Sequence, residues 1–340
     1  MIPAFLDGLG RVRRAPWVIV GVWASTLLVA LPPAIVLHGM IADHLGASLM
    51  ADTAARGVNL DWWNEFLAQA AGLGQSFVPA IIGFAAVLDN LSRVADQRPL
   101  AAALAAIVGT QVVLSIFLAG GILDRLARDR AVGAAAFFAA AGTWFFRFLR
   151  LGIAAGAGYW VLFTQVHPWL FDVAYVRLTN DLAVERTAFA IRVALYALFT
   201  LLLCAVNLVV DYAKIRAVVE DRRSMVGALI AGARFVARHP GGAAGLYLLD
   251  AAAYAAVVGA YFLTAPGATA GLLAFAIGQL YIALRVAVRL LFVASQTAYF
   301  QQHLAHAGFV RKRVPRWPDS PAADAMATLT LSDEADTRRA

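Results

Sequence analysis

The chain has 340 residues, 61% of them hydrophobic and 14% charged, with a net charge of +7, where ordinary soluble domains carry about 25% charge. That balance excludes a soluble enzyme or binding module and points to an all-α, polytopic transmembrane helical bundle. The bases flank apolar runs instead of forming one solvated patch, which excludes nucleic acid as a partner and assigns them to topology and to anionic lipids.

In chain order, residues 1–15 read as a cytoplasmic N-tail bearing Arg11, Arg13 and Arg14. The apolar segment 16–41 outruns the ~7–15-residue core of a signal peptide and is expected to stay as a signal anchor and first span. Pro32 and Pro33 inside it predict a kink or break. Residues 42–99 form an external insert. Its DWWNEF stretch places Trp62 and Trp63 for the headgroup zone. The apolar run 77–88 is too short to span and, with the polar residues to 96, predicts an interfacial or re-entrant helix. Five more spans follow at about 100–123, 151–170, 187–210, 242–264 and 270–296, so 16–310 reads as one integral membrane domain. Residues 311–340 are polar and aperiodic, a disordered cytoplasmic tail whose Arg311–Arg313, Arg316 and Trp317 would lie against anionic headgroups.

Of the 28 bases, twenty fall in the termini and the 124–150 and 212–241 loops, and five on the opposite side. Both termini are therefore expected in the cytoplasm, with the protein in a bacterial inner membrane.

The two basic loops share a plan. GGILDRLARDRAVGAAAFFAAAGTWFFRFLR and LVVDYAKIRAVVEDRRSMVGALIAGARFVARHP each run from an acid (Asp124, Asp211) to an Asp-Arg pair, then to small residues and an amphipathic stretch. The expected structure is a turn followed by an elbow helix on the inner leaflet. Arg128, Arg130 and Arg147 would meet lipid phosphates in one loop, and Arg222, Arg234 and Arg238 in the other. Two helical pairs, spans 2–3 and 4–5, would follow this plan.

This tandem layout over about residues 100–300 resembles the membrane domain of some bacterial glycerophosphodiester phosphodiesterases and its stand-alone relatives. The resemblance implies a helical membrane domain. Those enzymes carry their chemistry in a separate soluble barrel for which this chain has no room, so no catalytic residue transfers, and the 42–99 insert departs from the pattern.

Ionisable residues inside spans are the candidate site. Asp250 lies ~12 Å from the start of its span, and Arg289 and Arg285 lie ~10 and ~16 Å from the end of the next, antiparallel one, at ~1.5 Å per residue. Asp250 is expected to pair with one of them, leaving one cation spare, either as a register lock or as part of an anion site. The fourth span carries a stripe of Arg192, Tyr196, Leu203, Asn207 and Asp211, with Arg192 placed to snorkel outward or meet Glu185 or Asp181. Gly152–Gly156 and Gly267–Gly271 suit close helix packing. Cys204 reads as a small buried hydrophobe, and His303 and His306 as interfacial. The sequence contains no HExxH, GxSxG, P-loop or zinc pattern, so neither enzyme activity nor cofactor nor metal is expected. The leading functional class is a membrane subunit or scaffold with protein partners. The alternative is a transporter or lipid-handling permease with an intramembrane cationic site.

Overall fold

The structure, a computed structural model, describes residues 1–46, 48–56, 59–77, 96, 102–265 and 271–304. Met1–Tyr299 forms one compact unit; of the second, Phe300–Ala340, residues 300–304 are described. Among the described residues every regular element is helical. In order they are α1 (Ile2–Arg13), α2 (Pro16–Gly46), α3 (Ala51–Arg56), α4 (Leu60–Gln69), α5 (Ala102–Arg128), α6 (Ala134–Val161), α7 (Tyr175–Thr179), α8 (Glu185–Val219), α9 (Met225–Arg238), α10 (Pro240–Thr264) and α11 (Leu272–Gln302).

Six of the helical stretches are long and apolar enough to cross a membrane. Their faces fit a lipid solvent: Trp17, Leu263 and Leu272 are each more than 80% exposed, and the apolar window of α2 buries nothing inside the protein. Backbone pairing inside each helix is what hydrocarbon demands. α2 runs unbroken through Pro32 and Pro33, so the break expected there is absent. Each proline removes the donor that would have met the carbonyl four residues back, Leu28 or Val29, and its ring crowds that carbonyl.

The first fifteen residues, expected as a tail, form α1 and bury Ala4, Gly8, Arg11 and Val12. Arg11 Nη1 donates to the Leu126 carbonyl at the end of α5 (2.9 Å), and Arg125 Nη2 donates back to the Arg14 carbonyl (2.9 Å).

Only one of the two expected elbows is a separate helix. α9 is capped by Ser224, whose Oγ accepts from Gly227 N (3.2 Å), and it stops at His239 before Pro240. The residue before a proline is driven out of helical geometry, so the chain turns there. The other elbow is continuous with its span: α6 runs on through two π-helical turns, Leu162–Val166 and Trp169–Ala174, into α7, 46 helical residues in all. FFRFLRLGIAAGAG contains neither a proline nor a capping side chain to break it.

The Asp-Arg pairs mark matching turns. Asp129 and Asp221, 92 residues apart, are the only described non-glycine residues with positive φ, at 48° and 45°. Each ends a helix in the left-handed conformation that Asp tolerates better than most residues. After α8 the Arg222 N–H reaches back to the Ala217 carbonyl (2.9 Å), closing the turn. Each aspartate is held by an arginine distant in sequence: Arg14, just past α1, donates through Nη2 to Asp129 (2.6 Å), and Arg147 of α6 donates through Nη1 to Asp221 (2.9 Å). One turn earlier the same register carries an i,i+4 ion pair with its charges reversed, Asp124–Arg128 and Arg216–Glu220, both 2.8 Å.

The repeat groups the spans differently from the expected pairs 2–3 and 4–5. Gly8 and Gly232 each stand eight residues before a helix-starting proline, Pro16 and Pro240. A Cβ on Gly8 would lie 2.6 Å from Ser295 N, and one on Gly232 2.9 Å from Ala213 N. In the register set by the two turns, Ala213 corresponds to Gly121, where a Cβ would come 2.8 Å from the Phe137 carbonyl. Three copies of one plan result, each an elbow followed by two spans: α1–α2–α5, α6–α7–α8 (its elbow fused to its first span) and α9–α10–α11. The last span of each copy offers a small residue (Gly121, Ala213, Ser295) to the elbow of the next. Copy three packs on copy one, so the chain of contacts closes.

In the external insert, Asn59 caps α4 by accepting from Trp62 N (3.0 Å). Trp62 is buried rather than presented to headgroups: its Nε1 donates to His44 Nδ1 (3.0 Å) and its ring stacks on Phe66. Half-buried Trp63 donates to the Phe77 carbonyl (3.1 Å). A buried tryptophan needs a partner for its N–H, and His44 supplies one. The 77–96 helix, the 311–340 tail, Gly267 and His306 lie outside the described residues, except for Phe77 and Asp96.

Candidate functional site

The last spans of the three copies, α5, α8 and α11, surround a cavity of ≈ 250 Å³ that α2 helps to close. The repeat register explains its lining. Positions four and three residues apart on one face of each helix recur as Ser115, Asn207 and Arg289; then Ala119, Asp211 and Val293; then Ile122, Lys214 and Gln296. All nine line the cavity, with Gln111 one turn beyond Ser115 and Ser25 and Thr26 contributed by α2. Gln111 corresponds to Leu203 and Arg285, which lie outside the lining.

The charges are unevenly satisfied. Asp211 accepts from Lys214 Nζ (3.0 Å) and from Asn207 Nδ2 (3.2 Å), and Asn207 is also 3.2 Å from the Tyr247 hydroxyl. No ion pair or hydrogen bond holds Arg289 among the described residues, and it is exposed toward the cavity. Gln296 is 1% exposed, yet both its Oε1 and Nε2 lack partners, as does Gln111 Oε1. A buried amide left unpaired costs about 1–3 kcal/mol per polar group, and a guanidinium at membrane depth about 2.5–3.5 kcal/mol on insertion scales. With Lys214 spent on Asp211, the cavity has one positive charge in excess and amide groups to orient what meets it.

Asp250 stands apart from this cavity. It is fully buried where α10 meets α11, and Ser295 Oγ donates to its Oδ2 (2.6 Å) while Oδ1 has no partner. The expected ion pair with Arg285 or Arg289 does not form. Arg285 lies over the Tyr254 and Tyr281 rings, 5.9 and 5.5 Å from their centroids, and Arg289 is turned into the cavity. Equal depth on neighbouring helices does not fix the facing direction, and the two arginines lie on a different face of α11 from Ser295.

The fourth-span stripe divides. Asn207 and Asp211 line the cavity. Arg192 instead lies over the Tyr175 ring (5.1 Å), not beside Glu185 or Asp181, and the Tyr196 hydroxyl donates to Asp96 (2.8 Å). Of the elbow bases, Arg128 pairs with Asp124, and Arg147 pairs with Asp221 while its guanidinium stacks on Trp144 (4.5 Å). Arg222 pairs with Glu220, and Arg130, Arg234 and Arg238 are exposed. Gly152 faces Ile116 of α5, whereas Gly156 faces open space. Cys204 is a half-buried free thiol, and no metal-binding cluster is present among the described residues.

Sequence reasoning passed over Gln111, Ser115, Lys214 and Gln296. Neutral residues and one interfacial lysine look unremarkable singly; the signal that finds them is the three-copy register. Comparison with protein-family models, curated proteins and solved structures gives no match.

Proposed function

We propose that this multi-span helical membrane protein is a permease-class protein that holds the negatively charged end of a small polar solute or lipid in its central cavity. One observation supports the reading above the others: Arg289 has no ion pair among the described residues, in a cavity whose other cation, Lys214, is already paired with Asp211. A volume of ≈ 250 Å³ falls just below the usual ~300–1,000 Å³ of drug-sized sites, which suits a headgroup or small anion. Arginine is the residue type that engages carboxylate or phosphate through two parallel hydrogen bonds, and the Gln296 and Gln111 amides supply neutral partners beside it.

The test is gentle purification from native membranes of the wild type and Arg289→Gln, followed by native mass spectrometry and lipid extraction. The expected outcome is an anionic small molecule or lipid retained by the wild type and reduced about tenfold in the variant, equivalent to ~1.4 kcal/mol, at unchanged melting temperature. Identical retention by both proteins overturns the proposal. A stoichiometric protein partner with an empty cavity would instead establish the scaffold reading.

A further inference from the structure

A second concave site lies between the end of α8 and α9, shares no residue with the central cavity, and differs in chemistry. Arg216, Arg222, Arg234 and Arg238 border a groove of ≈ 390 Å³ whose floor and lip are Gly227, Ala231 and Ile230. The helices place these residues by simple spacing. Arg234 and Arg238 are four apart on α9, one turn above each other on the same face. Arg216 sits in the last turn of α8, and its Nη1 donates to the Ala231 carbonyl (2.8 Å), which ties the two walls together.

Four guanidiniums in so small a space repel one another unless anions offset them. One acid does so in part. Glu220 accepts from Arg216 through both Nε (3.1 Å) and Nη2 (2.8 Å), and it also pairs with Arg222. The remaining walls, Arg234 and Arg238, have no ion pair or hydrogen bond among the described residues and are exposed. The groove therefore holds a preorganised pair of bases beside an uncompensated pair. Its net excess of three positive charges is too large for a carboxylate to match.

The apolar part of the groove narrows the ligand class. Ile230 is 48% exposed directly beside the arginines, and α9 as a whole is amphipathic, burying Met225, Ala228, Ala231, Gly232 and Phe235 on its other face. A basic rim with an apolar lip on an amphipathic helix is the arrangement that engages a phosphate at a membrane surface.

From the juxtaposition of Arg234 and Arg238 with the Glu220-braced Arg216 and Arg222 we infer that this groove is a binding site for a dianionic phosphate monoester, presented by a lipid headgroup or by a soluble phosphate compound. A monoester phosphate carries about −1.5 to −2 charges near neutral pH and three acceptor oxygens, enough for one fork on each free arginine. A phosphodiester headgroup, with a single charge and two free oxygens, satisfies only one of them. This site is independent of the central cavity, because it shares no residue with that lining.

The full-length protein in mild detergent is titrated with dioctanoyl phosphatidate, dioctanoyl phosphatidylcholine and inorganic phosphate, with binding read by native mass spectrometry. The protein with its groove intact is expected to bind phosphatidate at least tenfold more tightly than phosphatidylcholine, and the Arg234→Gln/Arg238→Gln protein to lose that preference. Competition by inorganic phosphate identifies a soluble ligand; phosphatidate binding that phosphate does not displace identifies a lipid. All titrations are run in the Arg289→Gln background, which removes the cation of the central cavity, so that the anion binding measured is that of the groove. Should the glutamine variant fold poorly, the Arg234→Lys/Arg238→Lys protein keeps the charge but lacks the forked donors, and several-fold weaker binding is expected. Equal affinity for the two lipids, or full phosphatidate affinity in the double variants, overturns the inference.

Discussion

Asp129 and Asp221 show how one backbone angle and one ion pair share a residue. A left-handed backbone costs a residue with a Cβ roughly 1 kcal/mol more than glycine, yet a glycine would have no carboxylate for Arg14 or Arg147 to hold. At position 221, glycine and alanine both remove the Arg147 pair, but only alanine keeps the backbone penalty. Asp221→Ala is therefore expected to lower stability by ~1 kcal/mol more than Asp221→Gly, read as the difference between their melting temperatures in detergent. Glu220, beside this turn, has competing influences: burial raises its pKa, but hydrogen bonds from Arg216 and Arg222 outweigh it and hold the carboxyl below its usual range. A lowered folded-state pKa means stability that is present above the ordinary carboxylate pKa and lost as pH falls through the lowered value. Melting curves between about pH 3 and 7 should show the gap between wild type and Glu220→Gln closing at the acid end. A constant gap would show that the pair contributes nothing through ionisation.

At the scale of elements, the recurring event is an elbow pressed onto the last span of the preceding copy. The contact needs a small residue on at least one side. Two elbows supply a glycine, Gly8 or Gly232; at the middle copy's elbow the last span of copy one supplies Gly120 and Gly121, against which Trp144 and Phe137 pack. Adding bulk at such a point forces backbone apart, at a typical cost of about 1–3 kcal/mol. Gly232→Val should thus sharply reduce the yield of folded protein in size-exclusion chromatography. Gly156→Ala makes the matched control: its Cβ would meet nothing, and alanine's better helix propensity of up to ~1 kcal/mol predicts an equal or higher yield.

At the scale of the molecule, closure between copy three and copy one makes α1 a structural member. Without it, Ser295 and the buried Asp250 that it hydrogen-bonds lose the cover of Gly8, and the Leu126 carbonyl loses Arg11. Deleting residues 2–13 is expected to abolish folded protein, whereas a tail with no packing role would leave the yield intact. The three-copy plan also explains why the cavity is polar without being symmetric. The same register position is hydroxyl, amide and guanidinium in successive copies, so one frame presents three different groups to a single ligand.

The sequence alone determined the membrane class, the six spans, the two Asp-Arg turns and the amphipathic nature of α9. Each follows from local composition or from periodicity along one helix, and a lipid solvent enforces those rules residue by residue. It also picked out Arg289, Asn207 and Asp211, since polar side chains in apolar runs are conspicuous. Only the tertiary structure decided which helix faces turn toward one another. Asp250 and Arg289 share a depth, but one faces Ser295 and the other the cavity. α1 counts as an elbow only once α11 is seen beneath it. Gln111, Ser115, Lys214 and Gln296 become one site only when three spans far apart in the chain converge. Helix periodicity specifies a face relative to its own axis, while rotation about that axis is set by packing against neighbours.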